Sequence, residues 1–281
     1  MQRPCPSYCN GGFRFDRLTN GWLVGRFAVL DQLGIPHLVT TRQGPDIHAV
    51  RYDTDSVGRQ MAEVLDLREA AFLEQVHGCQ VLVCDTSGQV GQADGLCTST
   101  PGLGLMGKSA DCPIVLVAHK QRRAVGFAHA SWRATVAGIV PCLLGKMIDL
   151  GCCPEDLVAC ICPSAGPECY EVGPEVRQAA LEGIGPHAEA FFSLGSIKAN
   201  FDLWAANVDA LRRKGLRPED IHVAGVCTLC RNDLFPSHRR EGPGAGRFLA
   251  VIGLAGNVLP ATGTGHKSRT TGLFGRVGFM F

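Results

Sequence analysis

The sequence carries almost no net charge: 27 lysines and arginines stand against 26 aspartates and glutamates, leaving +1 over 281 residues. Such a chain projects no long-range field toward a nucleic-acid backbone or an anionic membrane, and its basic residues are scattered rather than striped. No apolar run approaches the roughly 18 residues of a membrane span. Met1 to Asn20 is polar and Gly-rich, without the charged segment and apolar stretch of an export signal. A Pro- or Ser-rich linker is missing, and so is any internal repeat. These absences lead us to expect one soluble domain, with no nucleic-acid or membrane partner; they leave the oligomeric state open.

Cysteine is plentiful, 14 in all. Several lie inside apolar runs such as Leu157-Val-Ala-Cys-Ile-Cys162, where a reduced thiol behaves as a small hydrophobe. A disulfide framework does not fit so long a chain, so a reducing compartment, the cytoplasm, is expected. Three stretches are expected: a flexible N-terminal arm over 1–25 with Cys5 and Cys9, a catalytic domain over 26–255, and a Gly-rich basic tail over 256–281 that holds no acid.

Inside the central stretch strands and helices interleave. Val57, Met61, Val64 and Leu65 recur at helical spacing, and Phe72 to Asp85 reads as one extended run with Val81 and Val83 alternating. Leu103–Met106, Ile114–Ala118 and Ala124–Ala128 are apolar runs of strand length, the last two joined by a hairpin over Lys120–Arg123. A helix from about Ala134 to Leu150 should kink or split at Pro141. Leu157–Cys162, Ile221–Thr228 and Phe248–Leu254 are further strands. Asp202 should cap a helix whose inner face carries Trp204, Val208 and Leu211. Strands paired both by hairpins and across helices imply an α/β fold of mixed sheets with helical layers.

Three of these runs end in residues suited to chemistry: Gln75-Val-His-Gly78, Ser109-Ala-Asp-Cys-Pro113 and His129-Ala-Ser-Trp-Arg133. Strand ends that lead into loops are where a rigid scaffold presents side chains. His77, Cys112 and His129 offer two imidazoles and a thiolate, a good set for zinc with a fourth position open. Their spacing matches no compact finger, so a buried thiol with two hydrogen-bonded histidines fits the same residues. Asp111 is a candidate to orient a ligand imidazole or carry a proton, and Gln75 a candidate to position a base or water. Arg42, Arg133, Arg239 and Arg240 offer guanidinium forks for phosphate, with Arg133 also able to buttress the loop after His129. Cys227-Thr-Leu-Cys230 has C-x-x-C spacing but lacks the second pair of a zinc ribbon, which leaves a packed or near-site pair. The zinc-deaminase signature H-x-E followed by P-C-x-x-C is absent.

Taken in order, the three motifs above with Ala93-Asp-Gly-Leu96 resemble the laccase-domain or YfiH-like family. Thr41-Arg-Gln-Gly44, Gly166-Pro-Glu-Cys-Tyr-Glu-Val-Gly173, Cys227-Thr-Leu-Cys230 and Ser237-His-Arg-Arg-Glu-Gly242 extend the resemblance over about residues 37–254. It implies a single-domain, four-layer α/β/β/α sandwich with a metal, zinc or alternatively copper, on His77, Cys112 and His129. It also implies cytosolic purine nucleoside phosphorylase-type enzymes that phosphorolyse adenosine, inosine and methylthioadenosine and deaminate adenosine. Older descriptions of the family are of copper-dependent polyphenol oxidases, and one bacterial branch edits peptidoglycan precursors through its cysteine. Arg42 and Arg240 lie inside motif matches and rank above the other arginines as phosphate ligands; Cys112, Asp111 and Gln75 are the catalytic candidates. Gly44-Pro45, Ser131 and Ile161-Cys-Pro-Ser-Ala-Gly166 depart from the family's usual double glycine, His-Ala-Gly-Trp-Arg and Ile-Gly-Pro-Cys-Ile-Gly.

Two other chemistries use the same residues: a cysteine hydrolase with Cys112 as nucleophile and a histidine as base, and a copper polyphenol oxidase, for which nine histidines are few. A non-catalytic metal-binding protein is the remaining alternative.

Overall fold

The computed structural model describes residues 12–45, 47, 53–194 and 198–256. Residues 1–11 of the expected arm and the expected tail from 257 onward lie outside the described residues. The remainder of the arm is a correction, because it is built into the fold. Strands β1 (Phe13–Arg17) and β2 (Leu23–Phe27) form an antiparallel hairpin with Phe13 opposite Phe27. Both rings are buried in the core, and on the outside Arg14 and Arg26 grip Asp31. A polar composition conceals the period-two placement of Phe13 and Phe15, which decides the matter.

A short helix α1 (Ala28–Gln32) leads to β3 (His37–Thr40), then to α2 (Thr54–Val64), whose first N–H groups are accepted by Asp53. The single extended run expected over Phe72–Asp85 is two strands, β4 (Glu69–Glu74) and β5 (Val81–Val83), in different sheets. Val83 does not alternate inward with Val81; it is 47% exposed on the edge strand, and Leu82 packs against the core instead. Next come β6 (Gly88–Gln92), β7 (Gly95–Thr98), β8 (Leu103–Ser109) and the expected hairpin of β9 (Ile114–His119) with β10 (Val125–His129).

The following helix is split, but not at the proline. It breaks between α3 (Trp132–Val136) and α4 (Ile139–Asp149), where Gly138 takes φ +84°, a left-handed conformation that costs glycine little. Pro141 falls in the first turn of α4, where its missing N–H has no intrahelical partner to lose. Beyond lie β11 (Leu157–Ile161), β12 (Glu171–Val172), α5 (Pro174–Gly183), β13 (Phe192–Leu194) and β14 (Ala199–Phe201). Helix α6 (Leu203–Arg213) carries the expected Asp202 cap on Ala205 N and buries Trp204 and Leu211. Then come β15 (Ile221–Val223), shorter than expected, α7 (His238–Glu241) and β16 (Phe248–Gly253).

The strands form two mixed sheets, β1-β2-β3-β16-β8-β4-β6 and β15-β11-β9-β10-β7-β5, with a small third sheet β12-β14-β13. Alternation along each strand explains the layering. From β16, Phe248, Ala250 and Ile252 face the core between the sheets, where they join Leu116 and Phe127, while Leu249 and Val251 pack on Val57 and Met61 of α2. From β9, Leu116 and Ala118 point inward, and Val115 and Val117 meet Leu143 and Met147 of α4. The result is the expected α/β/β/α sandwich of mixed sheets. Its two sheets approach closely because Gly107 leaves room for the Phe127 ring, which a Cβ there would meet at 2.8 Å.

Candidate metal centre

The site forms at one end of the sandwich, where the chain passes between the sheets. After β4 the chain leaves the first sheet for β5 in the second, and His77 sits on that crossing with φ +63°. A non-glycine residue rarely holds such a conformation without support. Asp94 supplies it, accepting from Val76 N at 3.1 Å and from Gly78 N at 2.6 Å. The link from β8 to β9 makes the same crossing and carries Cys112, whose carbonyl accepts from Ser109 Oγ at 2.6 Å. His129 closes β10, and its neighbour Ala130 donates to Pro113 O, tying the third ligand's strand to the second ligand's loop.

Potential ligand atoms of His77, Cys112 and His129 all lie within 4.8 Å of one another, and the two imidazole rings are 5.0 Å apart. Asp94 binds them into a unit. Its other oxygen accepts from His129 Nδ1 at 2.8 Å, which makes Nε2 the ring nitrogen that an ion would take in exchange for its proton. Fully buried, Asp94 would be pushed up by desolvation, yet the hydrogen bonds from His129 and Gly78 outweigh this and hold it below its ordinary value. Burial also works to lower His129, but Asp94 and Cys112 raise it to about 9. For Cys112 burial works upward, and the bonds from His129 and His77 win, bringing the thiol down to about 7. A thiol that ionises near neutrality beside two imidazoles, one oriented by a carboxylate, is a donor set that a borderline-soft divalent ion fits.

These residues open onto a cavity of about 360 Å³. Lys108, Arg239 and Arg247 line the same cavity, together with Tyr170. The Arg239 guanidinium lies 4.7 Å over the Tyr170 ring and donates to Glu171 O at 2.7 Å. Burial lifts the Tyr170 hydroxyl to about 12, so it stays a neutral donor. An adjoining hollow of about 320 Å³ shares Tyr170 and Arg239 and adds Trp132, Arg133 and Lys198.

Several expectations change at this point. Asp111 orients neither imidazole: its carboxylate accepts from Thr228 Oγ1, Ser237 Oγ and Arg239 N, so it fixes the turn that presents Arg239. The carboxylate that orients His129 is that of Asp94, visible in the sequence only as the acid of Ala93-Asp-Gly-Leu96. Gln75 does line the cavity, but its amide is clamped to Lys108 by two backbone hydrogen bonds of 2.9 Å. Gln75 stands just beyond β4, which ends at Glu74. Arg42 does not line the cavity; it pairs with Glu241 and donates to Asn232 O. Arg240 is exposed and does not line the cavity, one position beyond the arginine that does. Arg133 lies 4.4 Å over Trp132 in the adjoining hollow. The cationic residues of the cavity are therefore Lys108, Arg239 and Arg247. No spacing signal marks Lys108 and Arg247, because they come from segments remote in sequence, Lys108 from β8 and Arg247 from the residue before β16.

Comparison with known proteins agrees with this architecture. The family model described as "Multi-copper polyphenol oxidoreductase laccase" matches residues 41–255, so the chain belongs to that family. A purine nucleoside phosphorylase of Deinococcus radiodurans is 34% identical over 238 residues, covering 79% of this chain and 90% of that protein. "Adenosine deaminase RL5", from an unknown prokaryotic organism, is 31% identical over 207 residues, 67% of this chain and 76% of its own length. Among solved structures, the YfiH protein of Bacillus licheniformis has the same fold, with a TM-score of 0.75 over 85% of this chain and 98% of that one, at 24% identity. Among the described residues no helix is long and apolar enough to cross a membrane.

Proposed function

We propose that this protein is a cytoplasmic, metal-dependent purine nucleoside enzyme that phosphorolyses adenosine, inosine and methylthioadenosine and deaminates adenosine. The observation that carries the reading is one cavity lined both by a His/Cys donor set and by Lys108, Arg239 and Arg247. The names of the Deinococcus relative and of the RL5 deaminase support the substrate class. The described cysteines are free thiols, which suits a reducing compartment.

His77, Cys112 and His129 would hold a zinc ion, with copper the alternative, and such an ion supplies Lewis acidity beside the substrate. The chain's own groups account for the rest. Arg239, fixed by Asp111 and stacked on Tyr170, presents a guanidinium edge to phosphate, and Lys108 and Arg247 add charge. Phosphate held there is placed to attack the ribose C1′ as the bond to the base breaks, the electron pair leaving with the base. Tyr170 donates to an oxygen of either partner without losing its proton.

Product analysis tests this. Inosine should give hypoxanthine and ribose 1-phosphate only when phosphate is supplied, and adenosine should give some inosine without it. Free ribose formed in the absence of phosphate would make the protein a nucleosidase, and oxidation of a phenol with both nucleosides untouched would make it a copper oxidase.

One observation favours a second reading. Cys112, His129 and Asp94 follow the thiol, imidazole, carboxylate order of a cysteine hydrolase acting on amides such as peptidoglycan precursors, with a thiol lowered to about 7. Amide cleavage by metal-stripped protein, with neither nucleoside consumed, would establish it.

A further inference from the structure

A second group of sulfur donors lies outside the cavity. The turn Cys227-Thr-Leu-Cys230 meets Cys169 from the loop ahead of β12, and the sulfurs of all three lie within 4.8 Å of one another. Cys169 Sγ and Cys230 Sγ are 3.4 Å apart. The other buried thiols, such as Cys84, Cys97 and Cys160, sit among aliphatic side chains in the cores. This trio differs. Cys227 Sγ accepts from the backbone N–H of Gly166 at 3.2 Å, so this sulfur meets a polar donor as well as the other two sulfurs. Zinc–sulfur bonds of about 2.3 Å place the sulfurs of a tetrahedral site roughly 3.8 Å apart, within reach of the spacing found here.

We infer that Cys169, Cys227 and Cys230 form a second metal site, which takes a soft d10 ion, Zn²⁺ or Cu⁺. Three thiolates complete a trigonal Cu⁺ site, and on Zn²⁺ they leave one position to solvent on the half-buried side of Cys169 and Cys230. Each sulfur exchanges its S–H proton for a bond to the ion, the protons passing to solvent. The C-x-x-C turn thereby finds its missing ligand in another segment, which no spacing rule along the chain reveals. The ion would also brace the cavity. Cys169 precedes Tyr170, and Cys227 precedes Thr228, which donates to the Asp111 carboxylate that presents Arg239.

Cadmium titration of the fully reduced full-length protein tests the site, read by the thiolate-to-metal charge-transfer band. The wild type should bind about two equivalents. Because the centre at His77, Cys112 and His129 contributes one thiolate, Cys112→Ser should lower the band by roughly a quarter, and Cys169→Ser/Cys230→Ser by roughly three quarters. Should the double variant fail to fold, shown by a melt without cadmium, Cys230→Ser alone should lower the band by roughly a quarter. A single equivalent in the wild type, or loss of nearly the whole band in Cys112→Ser, would overturn the inference.

Discussion

Asp94 is fully buried and ionised, and it touches both histidine-bearing segments of the site. Because one oxygen orients His129 and the other holds the strained backbone around His77, its loss should be felt as loosened metal binding. Asp94→Asn should weaken metal affinity at the His77, Cys112, His129 centre by about 10- to 100-fold, as outer-shell partners of ligand histidines commonly do. Competition against a chelator measures this, and unchanged affinity would remove Asp94 from the site. Arginine roles separate as clearly. Arg239→Ala should raise the phosphate KM by about tenfold or more, since a charge-assisted bond of about 1.5–3 kcal/mol is lost, while metal content stays the same. Arg240→Ala, at an exposed side chain, should leave that KM within about twofold. Equal effects from the two would mean that phosphate approaches from the solvent side of α7.

At the scale of elements, β2 and β3 are joined through a histidine. His37 is fully buried; its Nε2 accepts from Phe27 N at 2.8 Å while Nδ1 donates to Ile35 O at 2.9 Å. Burial lowers its imidazole to about 4, the Ile35 carbonyl opposing, with Arg26 and Arg14 pulling down and Asp31 up. A proton on Nε2 would set two N–H groups against each other. The unfolded chain titrates His37 at its ordinary value of about 6.5, so it binds the proton before the folded protein does, and folding loses stability as pH falls from there toward 4. That loss amounts to on the order of 3 kcal/mol at most. Melting temperatures between pH 7 and pH 4 should fall in the wild type and fall less in His37→Gln. Parallel slopes would place the acid sensitivity elsewhere.

Across the whole molecule the hairpin of β1 and β2 completes the first sheet. Deleting residues 1–27 would strip Phe13 and Phe27 from the core between the sheets and bare the edge of β3. Each ring is worth about 3–5 kcal/mol when removed, against a total stability of about 5–15 kcal/mol. The truncated chain should therefore show no cooperative melt by circular dichroism; a normal melt would return these residues to the role of a loose arm. Periodicity located the helices α2 and α6, the β9–β10 hairpin and the strand end that carries His129, because apolar spacing and burial are local consequences of one another. The assignment of β4 and β5 to different sheets was not legible, since both runs are apolar and only long-range pairing chooses a sheet. Asp94, Lys108 and Arg247 were equally hidden as partners of the three ligands, and Arg239 was in view only as one of four arginines. Their roles arise at one end of two sheets packed face to face, and side chains remote along the chain become neighbours only once the core between those sheets has closed.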